Sequence, residues 1–184
     1  VGSLPIIEAA GKYSLFNMCN VTTMVVENLI IQNAVISTEP SLPSDNLATN
    51  ASVFDVNNAG VDLTLTNVTL KNNAGNALYN VGKVTMSDVS FLATGGNVTN
   101  NTITNAGGTI SASGTNVFRT NIYNLASSKM FLDGTNTVSG AINNSGIFAV
   151  NGATPAAGAT VGTVISGLIE NNGEMYFAGT STIT

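Results

Sequence analysis

The chain has 184 residues, a mass of 18.7 kDa and a net charge of −5; only 8% of its residues are charged, yet its mean hydropathy is +0.28. Ordinary soluble domains carry about 25% charged residues, so polarity here rests on Asn, Thr, Ser and Gly, a mixture that disfavours helix and favours strands joined by turns. A hydrophobic content of 43% excludes disorder, and the five scattered basic residues Lys12, Lys71, Lys83, Arg119 and Lys129 exclude nucleic acid and leave an anionic membrane surface unattractive.

In chain order, "VGSLPIIEAAGKYSLFNMCN" (1–20) fits no repeat and is expected to be an irregular first turn or a partial cap. Its Cys19, the single cysteine, reads as a small buried apolar residue. The chain has no histidine, so a catalytic thiol would lack its usual base. "MVVENLII" (24–31) then alternates apolar and polar residues, and "STEPSLPSDNLATNAS" (37–52), with two prolines, reads as a loop. From residue 56 a phrase of the form apolar-x-Asn-x-Gly returns as "VNNAG" (56–60), "LYNVG" (78–82), "ITNAG" (103–107), "INNSG" (142–146) and "IENNG" (169–173). A degenerate copy, "IYNLA" (122–126), has Ala126 in place of Gly. The asparagines Asn58, Asn80, Asn105, Asn124, Asn144 and Asn171 are separated by 22, 25, 19, 20 and 27 residues. Two further loops, "ATGGNVTNNT" (93–102) and "NGATPAAGATVG" (151–162), interrupt the rhythm.

Each phrase leads into a strand pattern. "LTLTNVTL" (63–70) and "VTMSDVSF" (84–91) align with "MVVENLII", placing Asn28, Asn67 and Asp88 in one column. Later copies put a glycine turn there: "ISASGTNVF" (110–118), "MFLDGTNTV" (130–138) and "YFAGTSTI" (176–183). Apolar residues two apart give each strand an inner and an outer face. A unit of about 20 residues cannot bury that inner face alone, whereas stacking copies about 4.8 Å apart buries it continuously. The expected fold is all-β: a single-stranded, right-handed parallel β-helix (β-solenoid) over residues 21–184, with about 7–8 turns of roughly 19–27 residues. Asn and Gly are the residues that most readily take up left-handed backbone, which sharp corners need. The six asparagines of the phrase are expected to stack as a ladder of side-chain amides at one corner.

Candidate functional residues are few. Tyr79 and Tyr123 sit between the apolar residue and the Asn of the phrase, on the outward phase, as a possible small binding platform. The ten acids contain no Asp-x-Asp pair. Asp55 with Asp62, and Glu170 with Glu174, each flank a corner and read as solvated turn carboxylates. Neither the two opposed carboxylates of a glycosidase nor the acidic calcium cluster and base of a lyase is recognisable. The sequence therefore indicates no catalytic residue, no metal site, no cofactor and no enzyme. "GATPAAGATVGTVISGLI" (152–169) is broken by Pro155 and several glycines, so no membrane insertion by this segment is expected. A start at Val1 points to processing or excision, and the strand pattern running to the C-terminus points to a fragment of a longer helix or a subunit whose ends meet a neighbour.

The run "LKNNAGNALYNVGKVTMSDVSF" (70–91) resembles the repeats of bacterial polymorphic outer-membrane proteins and related autotransporter passengers, which combine Phe-x-x-Asn with Gly-Gly-Ala-Ile elements. "LKNN" (70–73) puts Leu70 at the Phe, "GNAL" (75–78) differs at Asn76 and Leu78, and no second Phe-x-x-Asn follows Phe91. The resemblance implies a segment displayed at the bacterial cell surface, outside the cell. Its partner would be a host or neighbouring-cell surface protein or glycan, and its role adhesion or aggregation. A secreted subunit stacking end to end into an extracellular fibre is the alternative; a polysaccharide-acting β-helix enzyme and a phage fibre rank below both.

Overall fold

The computed structural model describes residues 3–9, 15–18, 22–34, 52–93, 101–151 and 162–184, and across them the chain is all β. It begins with β1 (Ile6–Glu8), β2 (Phe16–Asn17), β3 (Thr23–Gln32), β4 (Ser52–Val56) and β5 (Asp62–Lys71). A triplet of strands then recurs: β6 (Asn76–Asn80), β7 (Lys83–Ser87) and β8 (Ser90–Leu92), followed by β9 (Thr102–Asn105), β10 (Thr109–Ser113) and β11 (Thr115–Arg119). Next come β12 (Ile122–Asn124), β13 (Lys129–Leu132) and β14 (Thr135–Val138), then β15 (Ile142–Asn144), β16 (Ile147–Val150) and β17 (Gly162–Ile165). The last triplet is β18 (Ile169–Asn171), β19 (Glu174–Phe177) and β20 (Thr180–Ile183).

Every pairing among these strands is parallel. One face is a seven-stranded sheet in the order β18-β15-β12-β9-β6-β4-β2. A thirteen-stranded sheet makes two more faces, because β3 and β5 run unbroken round the corner between them where later turns split into separate strands. The molecule is a parallel β-helix. The N-terminal segment joins it on two faces, β1 pairing with Ile30–Gln32 and β2 with Phe54–Asp55.

The corner within the larger sheet explains the column read from sequence. Asn28, Asn67 and Asp88 have φ of 55°, 52° and 57°, and Gly114, Gly134 and Gly179 have 71°, 90° and 66°. A left-handed residue turns the chain sharply, and Asn, Asp and Gly enter that region at least cost. Asn67 also donates to Asn28 Oδ1 across 2.8 Å, tying two successive turns.

Inside, apolar side chains stack in register. One column runs Ile31, Leu70, Phe91, Phe118, Val138 and Ile165, all fully buried, and the rings of Phe91 and Phe118 stack at 5.8 Å and 20°. On the seven-stranded sheet Phe54, Leu78, Ile103, Ile122 and Ile142 form another. Each such side chain contributes about 1.5–3 kcal/mol through burial. The stack itself, not any single turn, forms the core. Of the expected loops, 37–51, 94–100 and 152–161 lie outside the described residues, as does Cys19. The last positions of those loops, Ser52, Thr102 and Gly162, begin strands β4, β9 and β17.

Candidate functional site

The repeated phrase builds a buried amide ladder where the seven-stranded sheet meets the larger one. Asn80 Nδ2 donates to Asn105 Oδ1 (2.9 Å), Asn105 to Asn124 (2.9 Å), Asn124 to Asn144 (2.7 Å) and Asn144 to Asn171 (2.7 Å). The same nitrogens reach backbone carbonyls of the next turn: Asn105 to Lys129, Asn124 to Ile147 and Asn144 to Glu174, each at 2.9 Å. An amide suits these rungs, where a hydroxyl would not, because its nitrogen donates twice, to the next rung and to a backbone carbonyl, while its oxygen accepts.

Three parts of the sequence reading are corrected here. Asn58 is not a rung: register places Val56 opposite Asn80, because the corner after β4 runs through Asn57–Val61 where the next uses only Val81 and Gly82. Asn58 is exposed and accepts from Gly60 N at 2.9 Å, and Asn80 Oδ1, lying above Val56, has no hydrogen-bond partner. Nor are the rungs left-handed; they end strands, and among the described residues the left-handed asparagines are Asn28, Asn33, Asn67, Asn72, Asn101 and Asn151. Finally, three glycines of the phrase, Gly82, Gly146 and Gly173, answer to crowding between turns, and of the five only Gly107 is left-handed, with φ of 111°. A Cβ on Gly146 would lie 2.3 Å from Ser128 O, and one on Gly173 2.3 Å from Gly146 O. That column passes through Gly108 and Ser128, not through Gly107 and Ala126. In the degenerate copy the Ser128 hydroxyl accepts from Gly107 N (2.7 Å) and donates to Asn105 O (2.8 Å).

Sequence reasoning missed two further ladders. Asn116 donates to Asn136 (3.0 Å), which donates to Thr163 Oγ1 (3.3 Å), and Asn73 donates to Asn101 (3.1 Å). The recurring "GTN" at 114–116 and 134–136 carried the first of these signals.

Tyr79 and Tyr123 lie in one outward column of the seven-stranded sheet, which runs Asn17, Asp55, Tyr79, Thr104, Tyr123, Asn143 and Glu170. Thr104 stands between the two rings. Two rows of strands span about 9.6 Å, beyond the stacking range of an aromatic pair, so the tyrosines are two separate half-buried surfaces. Tyr123 OH accepts from Asn121 Nδ2 at 3.4 Å.

Asp55 overturns its reading as a solvated turn carboxylate. It lies within β4, a strand buried on both faces, and neither carboxylate oxygen has a hydrogen-bond partner. Desolvation lifts its pKa from 3.8 to about 6. Its sequence companion Asp62 is half exposed and pairs with Lys83 Nζ at 3.4 Å, while Glu170 and Glu174 are exposed. At the N-terminal end Glu8 accepts from Gln32 and from Asn33 (2.8 Å), and those bonds lower its pKa. Among the described residues no group of three or more His, Cys, Asp or Glu side chains is placed to hold a metal ion.

Comparison of the chain with protein-family models, with curated proteins and with solved structures gives no match in any of the three.

Proposed function

We propose that this chain is a non-enzymatic segment of a surface-displayed, autotransporter-like adhesin, a rigid β-helical stalk that presents its outward faces to another cell. The observation that carries this reading is the interior. Columns of fully buried apolar side chains and buried amide ladders fill it turn after turn, which leaves recognition to outward-facing residues. Stacked parallel turns also give a stiff, extensible platform whose outer positions vary without cost to the core. The resemblance of residues 70–91 to passenger repeats points the same way. The test is binding of the fluorescently labelled chain to bacterial and animal cells: saturable binding that unlabelled chain competes away supports it. Absence of binding, together with release of oligosaccharides from a polysaccharide panel, would replace it with an enzyme.

A second reading is end-to-end assembly into a fibre, since a stack of parallel turns is extended by the same strand pairing that joins β16 to β19 and β17 to β20. Light scattering over a concentration series separates the two: a monodisperse monomer favours the adhesin, and growth into filaments favours the fibre.

A further inference from the structure

On the outer surface of the larger sheet, one column runs Ser111, Phe131, Ala149 and Tyr176 on successive strands β10, β13, β16 and β19. A small residue between two aromatic ones leaves a notch. It opens a depression of about 630 Å³ whose lining includes Phe131, Ala149, Tyr176, Asp133 and Ser111. In-column rings elsewhere in this molecule lie face to face, Phe16 on Phe54 at 5.0 Å and 10° and Phe91 on Phe118 at 5.8 Å and 20°. Stacking strands in parallel thus turns ring faces along the helix axis.

Phe131 and Tyr176 are two rows apart, about 9.6 Å, too far to stack on each other within the roughly 4.5–7 Å range of aromatic pairs. A group seated midway lies about 4.8 Å from each ring, inside the roughly 6 Å at which a cation is attracted to a ring face. Charge points the same way. Asp133 lines the slot, and Glu174 accepts the Tyr176 hydroxyl at 2.5 Å, fixing the ring and placing a second carboxylate beside it. Among the described residues that line the slot none is cationic. Lys129, two residues before Phe131, lines the adjoining depression with Ile147 and Glu174.

We propose that the slot between Phe131 and Tyr176, floored by Ala149 and rimmed by Asp133, binds the ammonium head of a lysine side chain on a partner protein. The slot is shallow, with Tyr176 54% exposed, which suits one side chain entering from a flat surface. The proposal depends on the adhesion reading only for the partner being a protein. Binding to the purified chain and binding to cells can each fail without the other.

The test titrates the purified 184-residue chain with a capped lysine peptide, with the same peptide carrying norleucine, and with a methyl glucoside, following the Ala149 methyl and Tyr176 ring by NMR. The lysine peptide is expected to bind about tenfold more tightly than the norleucine peptide, and more weakly in high salt. Ala149→Leu, which fills the slot, and Tyr176→Leu, which removes one wall at an exposed position, are each expected to abolish the difference. Equal binding of the norleucine peptide or the glucoside, no binding of the lysine peptide, or an undiminished preference in both variants would overturn the proposal.

Discussion

Asn80 and Asp55 sit on neighbouring strands of the seven-stranded sheet, each a buried polar side chain, and they meet opposite fates. The ladder that begins at Asn80 gives Asn105, Asn124 and Asn144 each a donor and an acceptor one row away. Asp55, whose register partner is Tyr79, has neither carboxylate oxygen hydrogen-bonded. A stack of turns satisfies a buried polar group cheaply when the same group recurs in the next row, and cannot do so when it stands alone. The ladder's own end shows the rule at work, since Asn80 Oδ1 goes unpaired where Val56 replaces a rung.

The sharpest way to break this contrast is inside the ladder. Asn124→Leu keeps the branched outline of the side chain but takes the acceptor from one Asn105 amide proton and the shared donor nitrogen from Asn144 Oδ1 and Ile147 O, and should cost about 2–4 kcal/mol of stability in urea titrations. A loss below about 0.5 kcal/mol would show that the rungs are incidental. Asp55→Asn acts in the opposite direction. Because the folded-state pKa is raised to about 6 from 3.8, the folded chain holds a proton that the unfolded chain releases. Stability from this group is therefore full below about pH 4 and falls as pH rises through about 6. The variant should gain up to about 3 kcal/mol at pH 7 and nothing below pH 4. A gain that is the same at both pH values would place the cause elsewhere.

Smaller effects sharpen the picture of the corner. Gly146→Ala forces a Cβ to within 2.3 Å of Ser128 O and should cost about 1–3 kcal/mol as overpacking. Gly60, whose Cβ would meet nothing closer than Asn58 Oδ1 at 3.4 Å, should tolerate the same change. Thermal melts of the two variants side by side decide it. The smallest effect belongs to the exposed Lys83–Asp62 pair at 3.4 Å: Lys83→Met should change stability by less than about 1 kcal/mol, and the difference should vanish in high salt.

Much of this architecture is legible in the residues themselves. Period-two alternation, a phrase returning about every 20 residues and the column of Asn28, Asn67 and Asp88 are local patterns, and each maps onto a strand or a corner. What escaped depends on register. Asn58 matches the phrase letter for letter, yet a longer corner moves it off the ladder and puts Val56 in its place. The Asn116–Asn136 ladder was hidden because Gly-Thr-Asn reads as a turn long before its asparagines are seen to stack. Asp55 escaped because alternation predicts which way a side chain points and says nothing of what lies over it. The slot at Ala149 exists only once β13, β16 and β19 are aligned.

Hydrogen exchange of the side-chain amides, followed residue by residue by NMR, tests the stacked ladder most directly. The Nδ2 protons of Asn105, Asn124 and Asn144 should exchange only as fast as the whole chain unfolds, while those of exposed Asn172 exchange far faster. Rates for the three rungs as fast as that of Asn172 would mean the turns are not stacked in this register, and the scaffold described here would be wrong.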